Sequence, residues 1–239
     1  MVCRCRRHYE KRKRSDCDKA DRARAHQNPV AKESGAKLHF RKLRDRDKLL
    51  LLEEIATADL RAIAVMIHKP SITNRSAFNQ KNVLYHYAAR YLLERVSWCC
   101  RDWAANGVNG DGTAEVHFSN RANLKMQEFQ SYLERLRFQS DNRIDWSIIK
   151  PDQCQILMPK RDLGQQIADA VASAFFFSVR SLHGNVPQPD YAQALRQVIY
   201  KAGTKYDGLG IKIWPREYHQ RLSQTIHWDW LRKIYKFEE

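Results

Sequence analysis

The sequence predicts an α/β fold in which helices flank a mixed sheet. Short apolar runs alternate along the chain with longer segments whose apolar residues recur at helical spacing, as is typical of strands connected by helices. The run Leu60–Ile67 is apolar on both faces, which favours a strand buried at the centre of a sheet. With 239 residues, of which 43% are hydrophobic, the chain is long enough for one domain with its own core.

Six segments are predicted to be strands because they are short, apolar and bounded by turn residues or proline. In chain order they are Lys37–Phe40, Leu60–Ile67, Ala114–Phe118, Ile144–Ile149, Gln153–Met158 and Gly208–Trp214. Pro70 follows the second strand and Pro215 follows the last, and proline cannot continue a strand ladder. Pro151 is expected to separate the fourth strand from the fifth.

Five segments are predicted to be helices because their apolar residues recur every three or four positions. In chain order they are Asp45–Thr57, Lys81–Ala104, Leu124–Phe138, Leu163–Val179 and Tyr191–Tyr200. The first begins with acidic residues, which favour the first turn of a helix. The fourth is apolar almost all round, so we expect it to be buried on more than one side.

Basic residues are concentrated near the N-terminus and divide the chain into three regions. Residues 1–48 contain 17 Lys and Arg against 7 Asp and Glu, in a chain of net charge +15. We expect 1–34 to be a basic, flexible extension, 35–215 to be the α/β domain and 216–239 to be a C-terminal tail. Such an extension either attracts polyanions without sequence preference or is a solvated tail, and the sequence leaves both alternatives open.

The sequence predicts a cytoplasmic protein. Met1–Arg14 lacks the apolar core of a signal peptide, and no run approaches the roughly 20 apolar residues that a membrane span needs. The adjacent Cys99 and Cys100 point to different faces of a predicted helix, which makes a poor disulfide framework and favours a reducing compartment. No Gly-rich phosphate loop and no Gly-x-Ser-x-Gly elbow occurs, which argues against nucleotide-dependent enzymes of those classes and against α/β-hydrolases.

Two acidic residues lie in unusually apolar predicted helices. They are Glu94 and Asp169, and a buried carboxylate is costly unless it is paired or bound to metal. Their candidate role is to hold Mg²⁺, which prefers oxygen ligands and would activate water. Gln166 and Asn120 are candidates to orient a ligand beside them. The alternatives are that Glu94 pairs with Arg95 on a solvated strip and that Asp169 is a buried, hydrogen-bonded acid.

Basic residues follow two of the predicted strands. His39 and Lys42 come at the end of the first strand, where histidine could act as an acid or base and lysine could contact phosphate. Arg41 and Arg44 are assigned to the same contact with nucleic acid. Lys69 follows the apolar strand, at the carboxyl end where α/β proteins usually bind ligands. The alternative is an ordinary basic surface.

Six pieces of the sequence, spread over about residues 35–215, occur in the order of one bacterial family. They are KLHFRKL (Lys37–Leu43), HKP (His68–Pro70), YLLER (Tyr91–Arg95), VHFSNR (Val116–Arg121), IDWSII (Ile144–Ile149) and GQQIADAVASAFF (Gly164–Phe176). Together they resemble the domain of unknown function 3800 family, a ribonuclease H-like group. The last piece is similar to the family's Gly-Leu-Gln-x-Ala-Asp helix, with Gln165 in place of leucine.

One departure from the family pattern concerns the N-terminal strands. Members begin with a strand that carries an Asp-x-Ser-Gly motif, whose aspartate is the expected first metal ligand, and this chain has a basic segment instead. Lys32-Glu33-Ser34-Gly35 has lysine in place of that aspartate and leaves no room for the strands that should follow. The resemblance therefore implies a ribonuclease H-like sheet whose N-terminal strands are missing or replaced, with an edge open to a protein partner or a second copy.

The resemblance implies a Mg²⁺-dependent nuclease-like protein that acts on nucleic acid, with activity weakened by the missing acidic strand. In this hypothesis Asp169 and Glu94 hold the metal and His39 assists proton transfer. Lys42 and Lys69 would contact phosphate. The alternative is a module that binds nucleic acid or another protein without catalysis.

Overall fold

The computed structural model describes residues 2–5, 39–80, 82–105, 112–120, 125–158, 163–180, 186–216 and 229–235, with 2–5 described by their backbone alone. These ranges contain helices α1 (Asp45–Thr57), α2 (Val83–Ala105), α3 (Met126–Arg137), α4 (Leu163–Val179), α5 (Pro189–Ala194) and α6 (Asp229–Tyr235). The strands are β1 (Val2–Cys5), β2 (Ala64–Ile67), β3 (Ala114–Ser119), β4 (Ile149–Leu157) and β5 (Ile211–Trp214). The predicted mixed α/β class is confirmed. No helix in these ranges is both long enough and apolar enough to cross a membrane.

The described strands form two small sheets, where the sequence predicts one. In the first sheet β3 lies between β1 and β4, antiparallel to β1 and parallel to β4. The second sheet consists of β2 and β5, which run parallel with Ile67 opposite Trp214.

The prediction that Leu60–Ile67 forms a central strand is wrong in two respects. Only Ala64–Ile67 is a strand, and its one partner among the described strands is β5. Ala62 adds a single bridge to Ile199. The segment is apolar on both faces because both of its faces are covered. The larger core packs against one face, and α2 packs against the other. Burial on two faces therefore requires two covering layers but not a central position.

Three other strand and helix boundaries differ from the predictions. At His39–Phe40 the chain enters a 3₁₀ turn rather than a strand, and Lys37 and Leu38 lie outside the described residues. The fourth predicted strand, Ile144–Ile149, is wrong apart from its last residue, because 146–148 form a turn and the strand β4 begins at Ile149 and includes Pro151. Since β4 is at the edge of its sheet, a residue without an N–H is tolerated there. The last predicted helix, Tyr191–Tyr200, is helical only to Ala194, and turns follow it.

The N-terminal region contributes a strand that the sequence did not predict. Val2–Cys5 pairs with β3 at the edge of the first sheet, while the rest of the proposed extension lies outside the described residues. The strand has the sequence Val-Cys-Arg-Cys and therefore supplies no carboxylate to stand in for the missing family aspartate.

The described residues form two hydrophobic cores. The larger core joins the second sheet to the helices α1, α4, α5 and α6, including Tyr235, which is fully buried. The smaller core lies between the first sheet, α3 and the side of α2 that carries Leu93 and Val96. Gly210, just before β5, is packed against the backbone of Tyr200 and against Ile199, so closely that a Cβ would overlap them. The second sheet is therefore pressed tightly against the turn that precedes it.

Candidate nucleic-acid interface

Glu94 is buried in a set of ion pairs on α2. Its side chain accepts hydrogen bonds from Arg95 Nη1 at 3.1 Å, from the backbone N–H of Arg143 at 3.1 Å and from Arg90 Nε at 3.5 Å. Arg90 also donates to Asp141, at 2.8 Å from its carboxylate. Both Glu94 oxygens are therefore engaged by protein donors, which indicates that this acid links α2 to the 141–143 turn.

Asp169 is exposed on α4, so the expected burial of this acid is wrong. The buried side of α4 carries Ala170, Val171 and Ala174, whereas Asp169 and Ala172 are exposed. Small alanine side chains make this helix apolar in composition without covering all of its faces, and composition alone could not distinguish the exposed face. No hydrogen bond or ion pair between described residues joins Asp169 to Glu94.

The surroundings of these acids do not fit the predicted Mg²⁺ site. The donors around Glu94 are guanidinium and N–H groups, which compete with a metal ion for its oxygens. Asp169 contributes an exposed carboxylate that shares no hydrogen-bond or ion-pair partner with Glu94 among the described residues. Within the described ranges no group of three or more His, Cys, Asp or Glu side chains is placed to hold a metal. The metal assignment therefore stays a prediction, and no step of a reaction is derived from it.

The amides predicted to orient a ligand lie near the carboxyl end of β3. Asn120 continues the pairing of β3 with β4 through its N–H, which donates to the carbonyl of Leu157 at 2.8 Å. Gln166 is half-buried on the first turns of α4. Its neighbour Gln165 is the glutamine that reaches the sheet, donating to the carbonyl of Phe118 at 3.5 Å. The roles of Asn120 and Gln166 stay predictions.

The predicted basic residues near residue 40 form a surface beside the C-terminal end of α4. Phe40 anchors the 3₁₀ turn, because its ring is almost fully buried and contacts Phe177 and Tyr191 at centroid distances of 6.3 and 6.0 Å. Arg41 then lies 5.8 Å from the centre of the Phe176 ring, and Arg180 lies 5.5 Å from it. Burial of Phe40 therefore fixes where the neighbouring cations emerge.

We call this surface the α1 basic patch and define it as Arg41, Lys42, Arg44, Arg46 and Arg180, all of which are exposed. Arg44 is paired with Asp47 at 2.8 Å. The other four side chains have no ion pair or hydrogen bond to any described residue. His39 is exposed beside the patch, in an extended conformation at the start of the turn.

Lys69 belongs to a different surface, at the carboxyl end of the second sheet. The N–H of His68 donates to the carbonyl of Trp214 at 2.9 Å, which brings the two strand ends together. Lys69 and Arg216 are both exposed just beyond this bond. The sequence therefore placed Lys69 correctly at a carboxyl end of parallel strands, and its role in binding stays a prediction.

A group of aromatic and basic side chains between α2 and the second sheet was not predicted from the sequence. We call it the Tyr91 cluster and define it as Tyr87, Tyr91, Arg95, Lys212 and Trp214. The Tyr87 ring lies 5.0 Å from that of Tyr91 and 4.9 Å from that of Trp214. Lys212 Nζ and the Arg95 guanidinium lie 5.4 and 5.5 Å from the centre of the Tyr91 ring. The signal in the sequence is the four-residue spacing of the three α2 members, which places them on one helix face.

Electrostatic effects in the Tyr91 cluster follow from burial and from like charges. Burial and the Arg95 guanidinium lower the pKa of Lys212. Burial lowers the pKa of Arg95 as well, while Glu94 opposes that effect. Burial and the hydrogen bond with Tyr87 raise the pKa of the Tyr91 hydroxyl. The cluster therefore holds its cations at a cost that nearby acids only partly offset.

Comparisons with known proteins give no match: no family model, no curated protein and no solved structure resembles this chain closely enough to be assigned. The resemblance to the domain of unknown function 3800 family therefore stays a prediction.

Proposed function

We propose that this protein binds nucleic acid through the α1 basic patch, without sequence preference. The observation that carries the proposal is that Arg41, Lys42, Arg46 and Arg180 are exposed and form no ion pair with any described acid. Cations that are not neutralised within the protein can neutralise phosphates and release their counterions, which gives affinity that does not depend on base sequence.

The composition of the surrounding surface supports the same proposal. Residues 41–48 contain five basic and two acidic side chains. The two acids pair with Arg44 and Lys48, at 2.8 and 2.9 Å, so neither of them faces the unpaired cations through a salt bridge. The patch therefore has excess positive charge, and it directly follows an N-terminal region in which basic residues also predominate.

Aromatic rings lie next to two guanidinium groups of the patch. Arg41 and Arg180 lie 5.8 and 5.5 Å from the centre of the Phe176 ring, and Arg41 lies 5.9 Å from that of Phe177. A guanidinium over a ring loses fewer conformations on binding a phosphate than one that extends freely into water. This arrangement favours bidentate contacts with phosphate oxygens at defined positions.

Binding without metal-dependent cleavage is the form of the hypothesis that the geometry favours. Glu94 is held by Arg90, Arg95 and Arg143, and Asp169 is exposed and takes part in none of these contacts. The experiment on binding therefore includes a cleavage assay, in which Mg²⁺ or Mn²⁺ is added to the bound complex.

The test is a fluorescence-anisotropy titration of the full chain with single- and double-stranded oligonucleotides over a range of salt concentrations. We expect Arg41→Gln/Arg180→Gln to weaken binding for every sequence. The slope of log affinity against log salt should become shallower by about 1.4 for single strands, because two phosphate contacts are lost. The charge-matched control is Lys201→Gln/Lys205→Gln, which removes two exposed cations from the turn before β5.

Equal affinity and equal salt slopes for the two double variants would contradict the proposal, provided that circular dichroism shows both to be folded. Cleavage that needs the divalent ion and disappears in Asp169→Asn would instead support the nuclease hypothesis. Because Asp169 is exposed, this substitution should leave the melting temperature close to that of the wild type.

A further inference from the structure

Phe176 is a large apolar side chain that belongs to neither hydrophobic core of the described residues. It is the middle one of three consecutive phenylalanines near the end of α4. Phe175 is buried in the larger core, and Phe177 packs against that core next to Phe40. Because successive residues of a helix point about 100° apart, Phe176 cannot follow either neighbour inward. It is therefore left half-buried at the surface.

Two exposed guanidinium groups, which come from different segments, lie beside this ring. The Arg41 guanidinium, from the 3₁₀ turn, is 5.8 Å from the ring centre, and that of Arg180 is 5.5 Å from it. Arg180 is one helical turn beyond Phe176, since its N–H donates to the Phe176 carbonyl at 3.1 Å. Both distances are close to the roughly 6 Å limit of a cation–π contact, so the guanidinium groups lie beside the ring without covering it. The exposed part of the ring therefore adjoins two cations.

The ring and the two cations share one accessible surface. Because both guanidinium groups are measured from the same ring centre, they cannot be farther apart than the sum of the two distances. Asp45 and Asp47, the acids that follow the turn, are each paired with a neighbouring basic side chain, at 2.9 and 2.8 Å. Asp169 is on the same face of α4 but two turns before Phe176, which is about 10 Å along the helix axis. The charges nearest to the ring are therefore positive.

We propose that the α1 basic patch selects single-stranded over double-stranded nucleic acid by stacking a base against Phe176. The inference rests on the function proposed above and names its substrate class. A duplex keeps the faces of its bases stacked on one another, whereas a single strand leaves them free to stack on a protein ring. Arg41 and Arg180 would contact the phosphates on either side of that base. Every base has a π face, so such stacking agrees with binding that has no sequence preference.

The combination of ring and cations carries this inference, because neither part is sufficient by itself. A single partly exposed apolar residue is ordinary on a protein surface. Unpaired cations bind the phosphates of a duplex and of a single strand alike. An aromatic ring with guanidinium groups beside it offers both kinds of contact at one place, and this arrangement is typical of surfaces that bind single strands.

The experiment measures binding of the full chain to three labelled ligands of about 12 nucleotides by fluorescence anisotropy. They are a thymidine strand, the same strand with abasic sites in place of the bases, and a duplex. Phe176→Leu should lower the affinity for the thymidine strand about fivefold or more, because a stacked base is lost, and leave the other two affinities within about twofold. The salt slopes should not change, since no phosphate contact is removed. The matched control is Phe138→Leu, at the end of α3, where the ring is 86% exposed.

Phe176→Leu should fold, because the ring belongs to neither core, and Phe176→Tyr should restore the affinity because it keeps a ring. Equal effects of Phe176→Leu on the thymidine and abasic strands, or equal losses for Phe176→Leu and Phe138→Leu, would overturn the inference. In that case a shallower salt slope for Arg41→Gln/Arg180→Gln would still support binding by the patch. No binding of any ligand by the wild type would overturn both proposals. Binding of phosphatidylserine vesicles that depends on Phe176, without such an effect on the thymidine strand, would also overturn the inference.

Discussion

The two faces of the β2–β5 sheet differ sharply, although alternate residues of the same two strands form them. One face presents Ala64, Ile211 and Ile213 to a core that contains no charged side chain among its buried members. The other face presents Lys212 to Tyr91 and Trp214 to Tyr87, and the Tyr91 ring on α2 also has Arg95 beside it. One small sheet thus supplies stability on one side and holds charged, partly unsatisfied groups on the other.

The largest expected effect on the charged side comes from removing its central acid. Glu94→Gln keeps the shape of the side chain but leaves Arg90 and Arg95 with less compensation for their buried charge. We expect the free energy of unfolding to fall by about 3–5 kcal/mol in urea denaturation. Glu128→Gln is the control, because its exposed pair with Lys125 should contribute no more than about 0.5 kcal/mol. A loss below about 1 kcal/mol for Glu94→Gln would show that the arginines do not depend on Glu94.

On the apolar side the expected effect is that of a cavity. Ile211 is completely buried, so Ile211→Ala should lower the free energy of unfolding by about 3 kcal/mol, measured in the same urea titration. Ile211→Val serves as the conservative variant and should cost only about 1 kcal/mol. If both substitutions lowered the free energy of unfolding by the same small amount, the face that carries Ile211 would not be the one that supplies stability.

The smallest expected effect is the change in the free energy of unfolding with pH that is due to Lys212. It separates the two faces most directly. Its pKa is lowered in the folded protein by burial and by Arg95, whereas an unfolded lysine titrates near pKa ~10.4. Between these two pKa values the unfolded chain binds more protons, so stability rises with pH in that window. Lys212→Met should abolish this increase of stability with pH. At pH 7, where the wild type still bears the cost of the buried charge, the variant should be about 1 kcal/mol more stable than the wild type.

Urea titrations of the wild type and Lys212→Met at pH 7 and pH 10 test this prediction. Ionisation of the tyrosine hydroxyls lowers the stability of the folded protein in the same alkaline range, because burial raises their pKa values. Only the difference between the two proteins is therefore diagnostic. A difference that stays constant with pH would mean that Lys212 titrates equally in the folded and unfolded chains.

The sequence predicted helices more accurately than strands, for a physical reason. Asp45–Thr57 and Leu163–Val179 have the bounds that periodicity predicts, because helical hydrogen bonds are local. Strand pairing is between distant segments, so the sequence could not show that Pro151 lies inside β4 or that Val2–Cys5 pairs with β3. The division into two sheets is also decided by such distant contacts.

Prediction of the candidate site was limited in the same way, because local sequence does not show contacts between distant segments. Local sequence placed Arg41, Lys42 and Lys69 on exposed segments, where they are found. It could not show which side of an alanine-rich helix faces outward, and Asp169 was therefore expected to be buried. Arg95 lies one helical turn from Tyr91, but Lys212 is far away in sequence, and only the packing of α2 against the second sheet brings Lys212 to the Tyr91 ring.

The position of α2 has a consequence for how the molecule responds to disturbance. Leu93 and Val96 bind this helix to the first sheet, and Tyr87 and Tyr91 bind it to the second. A helix that packs against both sheets cannot shift at one without disturbing its contacts with the other, because packed interiors are nearly incompressible. The two sheets are thereby mechanically coupled through a single helix, so a substitution that moves α2 at one sheet should also be felt at the other.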